Sequence, residues 1–146
     1  MDILTYSQLN DREKELVDSA QEALKLSYNP YNSGKLIGAA IRTMNGRLIL
    51  GGNFANNSSR SNICAERAVI VTANNLKHRD IEELAIIGLC ETNPFEEPVT
   101  PCGECRQVLS EIPRITGKEL IIYCSNQDKS KILRTSISEL LPHGYE

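Results

Sequence analysis

The chain has 146 residues, a formal net charge of -3, 24% charged residues and 40% hydrophobic residues. This length suits a single domain over 1–146 with its own hydrophobic core, and the acidic balance argues against a nucleic-acid partner, which would need a basic stripe. The longest apolar run, residues 84–90, is far shorter than the ~18 residues of a membrane span, so we expect no membrane partner.

The first half of the chain predicts one helix and one β-hairpin. An amphipathic helix is expected over 10–26, opening with a capping box of Asn10 and Glu13. Apolar runs over 36–43 and 47–50 then flank an Asn-Gly pair, the strongest short signal for a hairpin. We therefore expect strands one and two here.

The second half predicts alternating helices and strands. A mostly buried helix begins at Cys64, a continuous apolar run over 84–89 indicates a central strand, and another helix begins at Cys102. This order predicts an α/β fold with helices on the faces of a sheet that has five strands in all. Three further elements follow: a buried strand over 120–123, a short edge strand over 131–134 and a final helical turn over 136–141.

Two short motifs carry chemistry. Cys102 and Cys105 are spaced so that both sulfurs can reach one ion from the first turn of a helix, and Cys64 offers a third thiol 38 positions earlier. Zinc prefers four ligands, so three protein ligands leave the fourth position for a water that the metal can acidify. Glu66, two residues after the first thiol, is placed to move the proton of that water. C-A-E followed by P-C-x-x-C matches the documented signature of zinc nucleobase deaminases.

Charge balance at such a site requires a cation. Three thiolates on a doubly charged ion leave the site at -1, which would weaken the acidification of water. Arg67 follows the Cys-Ala-Glu triplet and Arg106 follows Cys105, and either could donate N–H bonds to a ligand sulfur. His78 and His143 both lie in polar surroundings, and neither is expected to be a fourth ligand.

Cysteine usage indicates the compartment. Five cysteines are an odd number, with one C-x-x-C pair and no secretion signal. This pattern favours metal or redox chemistry in a reducing compartment over a disulfide framework. We therefore expect a cytoplasmic protein.

The chain resembles the cytidine deaminase family almost end to end. The resemblance implies a cytidine deaminase-like fold, a three-layer α/β/α sandwich with a mixed five-stranded sheet, and one Zn²⁺ per chain held by the three cysteines. It further implies hydrolysis of cytidine or deoxycytidine in pyrimidine salvage, with Glu66 moving protons to N3 of the cytosine ring and then to the departing amine. The motifs that carry it are Tyr28-Asn29-Pro30-Tyr31, Gly38-Ala39-Ala40, Gly52-Asn53, Cys64-Ala65-Glu66-Arg67, Pro101-Cys102-Gly103-Glu104-Cys105-Arg106-Gln107 and Leu140-Leu141-Pro142.

The resemblance also suggests substrate contacts and an oligomer. It favours Arg67 as the compensating cation, and it implies that a terminal aromatic, here Tyr145, reaches into the site of a neighbouring subunit in a homotetramer. The substrate contacts that it implies are the side chains of Asn53 and Tyr145 and the main chain of Ala65 and Thr100.

The sequence departs from the family at two places. The acid that usually follows two residues after Asn53 is Ala55, and the loop after Tyr31 has an extra residue and Gly34-Lys35-Leu36 where the family tends to have an aromatic. One alternative is therefore a deaminase of another cytosine-bearing compound, such as a modified nucleoside or a blasticidin-type antibiotic. A second alternative is a zinc or redox module without catalysis, but a closed structural zinc site would need a fourth ligand.

Overall fold

The computed structural model describes residues 1–146 and contains one mixed sheet of six strands in the order β1-β6-β5-β4-β2-β3. β4 and β5 are parallel, and every other neighbouring pair is antiparallel. The strands are β1 (Asp2–Leu4), β2 (Leu36–Thr43), β3 (Leu48–Gly52), β4 (Ile81–Leu89), β5 (Ile121–Ser125) and β6 (Ile132–Ser136). The α-helices are α1 (Asp11–Ala23), α2 (Ala65–Asn75), α3 (Gly103–Leu109), α4 (Glu111–Thr116) and α5 (Ile137–Leu140).

Helices cover both faces of the sheet, as predicted. On one face, α1 packs through Leu16, Val17 and Ala20 against sheet residues such as Ile87. On the other face, α2 to α5 enclose a larger core with β2, β4 and β5, in which Val69 is completely buried. Burial on both sides explains why the central strands are continuous apolar runs rather than alternating patterns.

The predicted number of five strands was wrong by one. Residues 2–4 form the sixth strand, which pairs antiparallel with β6 so that Asp2 lies opposite Arg134. An ion pair of 3.1 Å joins these two side chains. Three residues carry too short a pattern to predict a strand, and the pairing depends on a partner 132 positions away.

The helix predicted from Cys102 is two helices. The structure ends α3 at Leu109 and begins α4 at Glu111. Pro113 has no backbone N–H to donate to a carbonyl four residues earlier, so the hydrogen-bond ladder is interrupted at this point. The hydroxyl of Ser110, the residue between the two helices, donates to the carbonyl oxygen of Gln107, 2.6 Å away.

Strand direction brings two helix starts together. β3 and β4 are both antiparallel to β2, which lies between them, so they run in the same direction and end at the same edge of the sheet. The segments after these strands lead into α2 and α3, whose first turns are therefore neighbours. No helix in the structure is both long enough and apolar enough to cross a membrane.

Candidate active site

The three predicted thiols lie together at these helix starts. Cys64 is the N-cap of α2, Cys102 is the N-cap of α3, and Cys105 lies in the first turn of α3. Their sulfur atoms all lie within 4.8 Å of one another, and the Cys64 and Cys102 sulfurs are 4.0 Å apart. Tetrahedral zinc with Zn–S bonds near 2.3 Å requires sulfur separations of roughly 3.8 Å. The cluster therefore has the size that one zinc ion needs.

The cluster offers three ligands and no fourth. No histidine, aspartate or glutamate belongs to the group of side chains that could hold a metal together with these cysteines. His78 lies instead beside Arg47, with 3.1 Å between the His78 Nε2 and the Arg47 Nη1, and His143 is exposed. This donor set suits zinc with one position left for a small molecule, as in catalytic zinc sites.

Glu66 lies in the first turn of α2 and is only 5% exposed. Burial raises the pKa of its carboxyl group to about 7, and the negative charge of the Cys64 thiolate adds to the increase. The carboxyl group is therefore divided between its acid and base forms near neutral pH. Such a group can both accept and release a proton during a reaction.

The pKa values of the Cys64 and Cys105 thiols are shifted in opposite directions. Proximity to Cys105 and, after it, the contact with Arg67 lower the pKa of the Cys64 thiol, against the opposing effect of burial. Proximity to Cys64 and burial raise the pKa of the Cys105 thiol. Zinc binds thiolates, so binding of the metal must release the proton that Cys105 holds.

Arg67 lies against the cluster. Its Nη2 donates to the Cys64 sulfur at 3.6 Å and to the carbonyl oxygen of Asn62 at 3.2 Å. Its Nε is buried and has no hydrogen-bond partner among the protein atoms. A guanidinium group that contacts a cluster sulfur and keeps one buried N–H donor unpaired fits a cluster that carries thiolate charge, so these residues fit a bound zinc ion.

Arg106, the other cation considered, has different partners. Its Nε donates to the carbonyl oxygen of Pro101 at 2.7 Å, and its Nη1 donates to the carbonyl oxygen of Leu140 at 3.0 Å. These contacts hold the segment that enters α3 and tie it to the end of α5. Between the two arginines, the contact with a ligand sulfur is therefore made by Arg67.

Asn53 lies opposite Cys64. Phe54 and Ile63 exchange both backbone hydrogen bonds at 2.9 Å, so the preceding and following residues, Asn53 and Cys64, are cross-strand neighbours. The side chain of Asn53 also binds the main chain at the start of β2, because its Oδ1 accepts from the N–H of Ile37 at 2.9 Å. Asn53 therefore organises the wall of the site next to Cys64.

The other predicted contact residues have varied positions. Ala65 is fully buried as the first residue of α2, and Thr100 is exposed directly before Pro101 and Cys102. The main chain of Tyr145 is held by the side-chain amide of Gln107 at 2.9 and 3.1 Å. The ring of Tyr145 is 85% exposed, so within one chain it does not enter the site.

At the two places where the sequence departs from the family, the structure has small residues. Ala55 is 4% exposed and places a methyl group two residues from Asn53. Gly34 adopts a positive φ of 55° with open space where a Cβ would lie, so the loop turns without an aromatic at that position. The Nζ of Lys35 lies 5.7 Å from the ring centroid of Phe95, the aromatic side chain that this loop does contact.

One contact was missed from the sequence. Glu104 lies between Cys102 and Cys105, and its Oε1 is 3.2 Å from the Nη1 of Arg67. Its position between two ligands was the only signal in the sequence, because the partner is 37 positions away.

Comparison with known proteins agrees with this geometry. Residues 10–123 match the family model described as the cytidine and deoxycytidylate deaminase zinc-binding region. The cytidine deaminase of Halalkalibacterium halodurans is 32% identical over 130 residues, which cover 89% of this chain and 91% of that relative. The blasticidin-S deaminase of Bacillus cereus is 25% identical, with 94% of each chain covered.

Solved structures show the same fold. The crystal structure of cytidine deaminase from Burkholderia pseudomallei is similar with a TM-score of 0.79 and 28% identity. The match covers 94% of this chain and 100% of that chain. The α/β sandwich predicted from the sequence is confirmed by this similarity, with six strands instead of five. The chain belongs to the cytidine and deoxycytidylate deaminase family of zinc-dependent hydrolytic enzymes.

Proposed function

We propose that this enzyme hydrolyses the 4-amino group of cytidine or deoxycytidine, giving uridine or deoxyuridine and ammonia. The observation that carries the proposal is the buried carboxyl group of Glu66 beside three thiols at the starts of two helices. The cytidine deaminases among its relatives support the choice of substrate.

In this reaction Glu66 moves two protons. Its carboxylate first takes a proton from water and delivers it to N3 of the ring, while the water oxygen bonds to C4. The carboxylate then takes the remaining proton from that oxygen and gives it to the amine nitrogen. The C4–N4 bond breaks, ammonia leaves, and a uracil ring remains, so one water is consumed for each ammonia released.

The zinc site is assigned to Cys64, Cys102 and Cys105. When bound, zinc supplies Lewis acidity that makes water nucleophilic near neutral pH. Arg67 offsets part of the charge of the thiolates by donating to the Cys64 sulfur. Each chain offers one such cluster, which supports one zinc ion per chain.

Substrate recognition is assigned to residues around this cluster. Asn53 lies next to Cys64 and is proposed to contact the sugar, and the main chain of Ala65 and Thr100 is proposed to contact the pyrimidine edge. The exposed ring of Tyr145, anchored through its main chain, is available to a neighbouring subunit. This supports a homotetramer in which each tail completes an adjacent site.

A second candidate substrate class is a cytosine compound with a different group in place of ribose. Ala55 favours this alternative because a methyl group cannot accept a hydrogen bond from a sugar hydroxyl. The similarity to a blasticidin-S deaminase is consistent with it. Both candidates require the same zinc site and the same role for Glu66.

A substrate panel tests the proposal. Ammonia release would be measured with cytidine, deoxycytidine, cytosine, cytidine monophosphate and blasticidin S, at a known zinc content per chain. We expect the highest kcat/KM for cytidine or deoxycytidine. A preference of more than about tenfold for blasticidin S would favour the second candidate, and a zinc-loaded enzyme inactive on all five would contradict both.

The cellular setting is also part of the proposal. The five cysteines are all free thiols, which is typical of reducing compartments and supports a cytoplasmic enzyme of pyrimidine salvage. The net charge of -3 supports a small nucleoside rather than nucleic acid as the partner. We regard residues 1–146 as one catalytic domain.

A further inference from the structure

The guanidinium group of Arg67 is held from two sides. On one side, its Nη2 contacts the carbonyl oxygen of Asn62 and the sulfur of Cys64, both in the segment that enters α2. On the other side, its Nη1 contacts the carboxylate of Glu104 at 3.2 Å, in the first turn of α3. Arg67 therefore connects the two chain segments that supply the thiols.

Glu104 makes the only ion pair between α2 and α3. Its side chain is 70% exposed, whereas that of Arg67 is 21% exposed, so the carboxylate reaches from solvent toward a partly buried cation. Exposed ion pairs add little to stability. A role in folding alone is therefore a weak explanation for this contact.

Glu104 also has an unfavourable effect on charge. Three thiolates with Zn²⁺ have a net charge of -1, which Arg67 neutralises, and the carboxylate of Glu104 restores a negative charge nearby. For the acidification of water at the site, electrostatics alone would therefore favour a neutral residue at this position. What Glu104 does in the structure is hold one end of the guanidinium group of Arg67.

We propose that Glu104 is a positioning residue that keeps the guanidinium group of Arg67 against the Cys64 sulfur and thereby strengthens zinc binding. The two ends of the guanidinium group contact different helix starts, so rotation away from the sulfur would also break the contact with Glu104. Outer partners that orient a metal ligand usually contribute 10- to 100-fold to metal affinity, and Glu104 acts through Arg67, one step farther out. We therefore expect an effect of about 3- to 10-fold.

Competition between the purified enzyme and a zinc chelator tests this role without any substrate. Glu104→Ala should lower zinc affinity by about 3- to 10-fold. Glu104→Gln should stay within about twofold of wild type, because the amide oxygen can accept the same hydrogen bond. Glu111→Ala is the matched control. Glu111 is a 65% exposed acid whose carboxylate lies 4.0 Å from the Nε of Arg114, and it does not contact Arg67.

A double-mutant cycle and a spectroscopic measurement complete the test. In an Arg67→Lys background, Glu104→Ala should have no further effect on zinc affinity, because the lysine lacks the planar fork. The Co²⁺-loaded Glu104→Ala enzyme should show a shifted thiolate-to-metal absorption band, and the Glu111→Ala enzyme should not. Wild-type zinc affinity in Glu104→Ala, or an equal loss in Glu104→Gln, would overturn the proposal. Because neither measurement needs turnover, both outcomes are independent of the proposed substrate.

Discussion

Replacing Glu66 by glutamine tests the proposed proton transfers most directly. Glutamine has nearly the same size, and only 5% of Glu66 is exposed, so bulk water has little access to replace the carboxylate. Two proton transfers pass through this group, and one general acid–base step contributes about 10²- to 10⁴-fold to a rate. We therefore expect kcat to fall by at least about 10⁴-fold, which corresponds to ~5.4 kcal/mol in the barrier.

Ammonia release from cytidine and zinc content per chain would be measured on the same preparations. Zinc content should not change, because Glu66 does not belong to the cluster of three cysteines. KM should change by less than about fivefold, since substrate binding does not require proton transfer. Glu22→Gln, at a 63% exposed acid on α1, is the control and should match wild type. A fully zinc-loaded Glu66→Gln enzyme with more than about 1% of wild-type kcat would refute the assignment.

Three further substitutions test the packing, the pH dependence of stability and the specificity. Gly38→Ala should lower the free energy of unfolding by about 1 to 3 kcal/mol in denaturant titrations. The added methyl carbon would lie 2.2 Å from the carbonyl oxygen of Ala20 in α1. An unchanged denaturation midpoint would contradict this packing. Burial raises the pKa of Glu13, but hydrogen bonds from the backbone of Asn10, from Tyr123 and from Arg134 outweigh it and hold the pKa below the ordinary 4.5. Glu13→Gln should therefore destabilise the fold by about 1 kcal/mol at pH 7, and the difference from wild type should disappear as the pH falls through that lowered pKa; a constant difference down to low pH would argue against the carboxylate charge. Ala55→Glu supplies an acceptor for sugar hydroxyls. The ratio of kcat/KM for cytidine to kcat/KM for 2′,3′-dideoxycytidine should therefore rise by about tenfold or more. An unchanged ratio would show that this side chain does not face the sugar.

Local patterns predicted most elements of the fold. The capping box of Asn10 and Glu13 is present at the start of α1, with bonds of 2.8 and 3.0 Å, and β2 spans residues 36–43 as predicted. These features depend on residues within a few positions of one another. The short strand β1 and the break before α4 were not predicted, because one depends on a distant partner and the other on a single proline within an apolar helical pattern.

The sequence by itself determined the chemistry of this protein. The spacing of Cys102 and Cys105, and of Cys64 and Glu66, predicts a zinc site with a proton-carrying carboxyl group, because each pair lies within one turn of chain at a helix start. Only the tertiary structure decided which cation serves the cluster. Arg67 and Arg106 occupy equivalent positions after their motifs, so residue spacing does not distinguish them, and in the sequence only the family resemblance favours Arg67. The distances to Cys64, Glu104 and Leu140 distinguish them, and these distances arise only when β3 and β4 end at the same edge of the sheet.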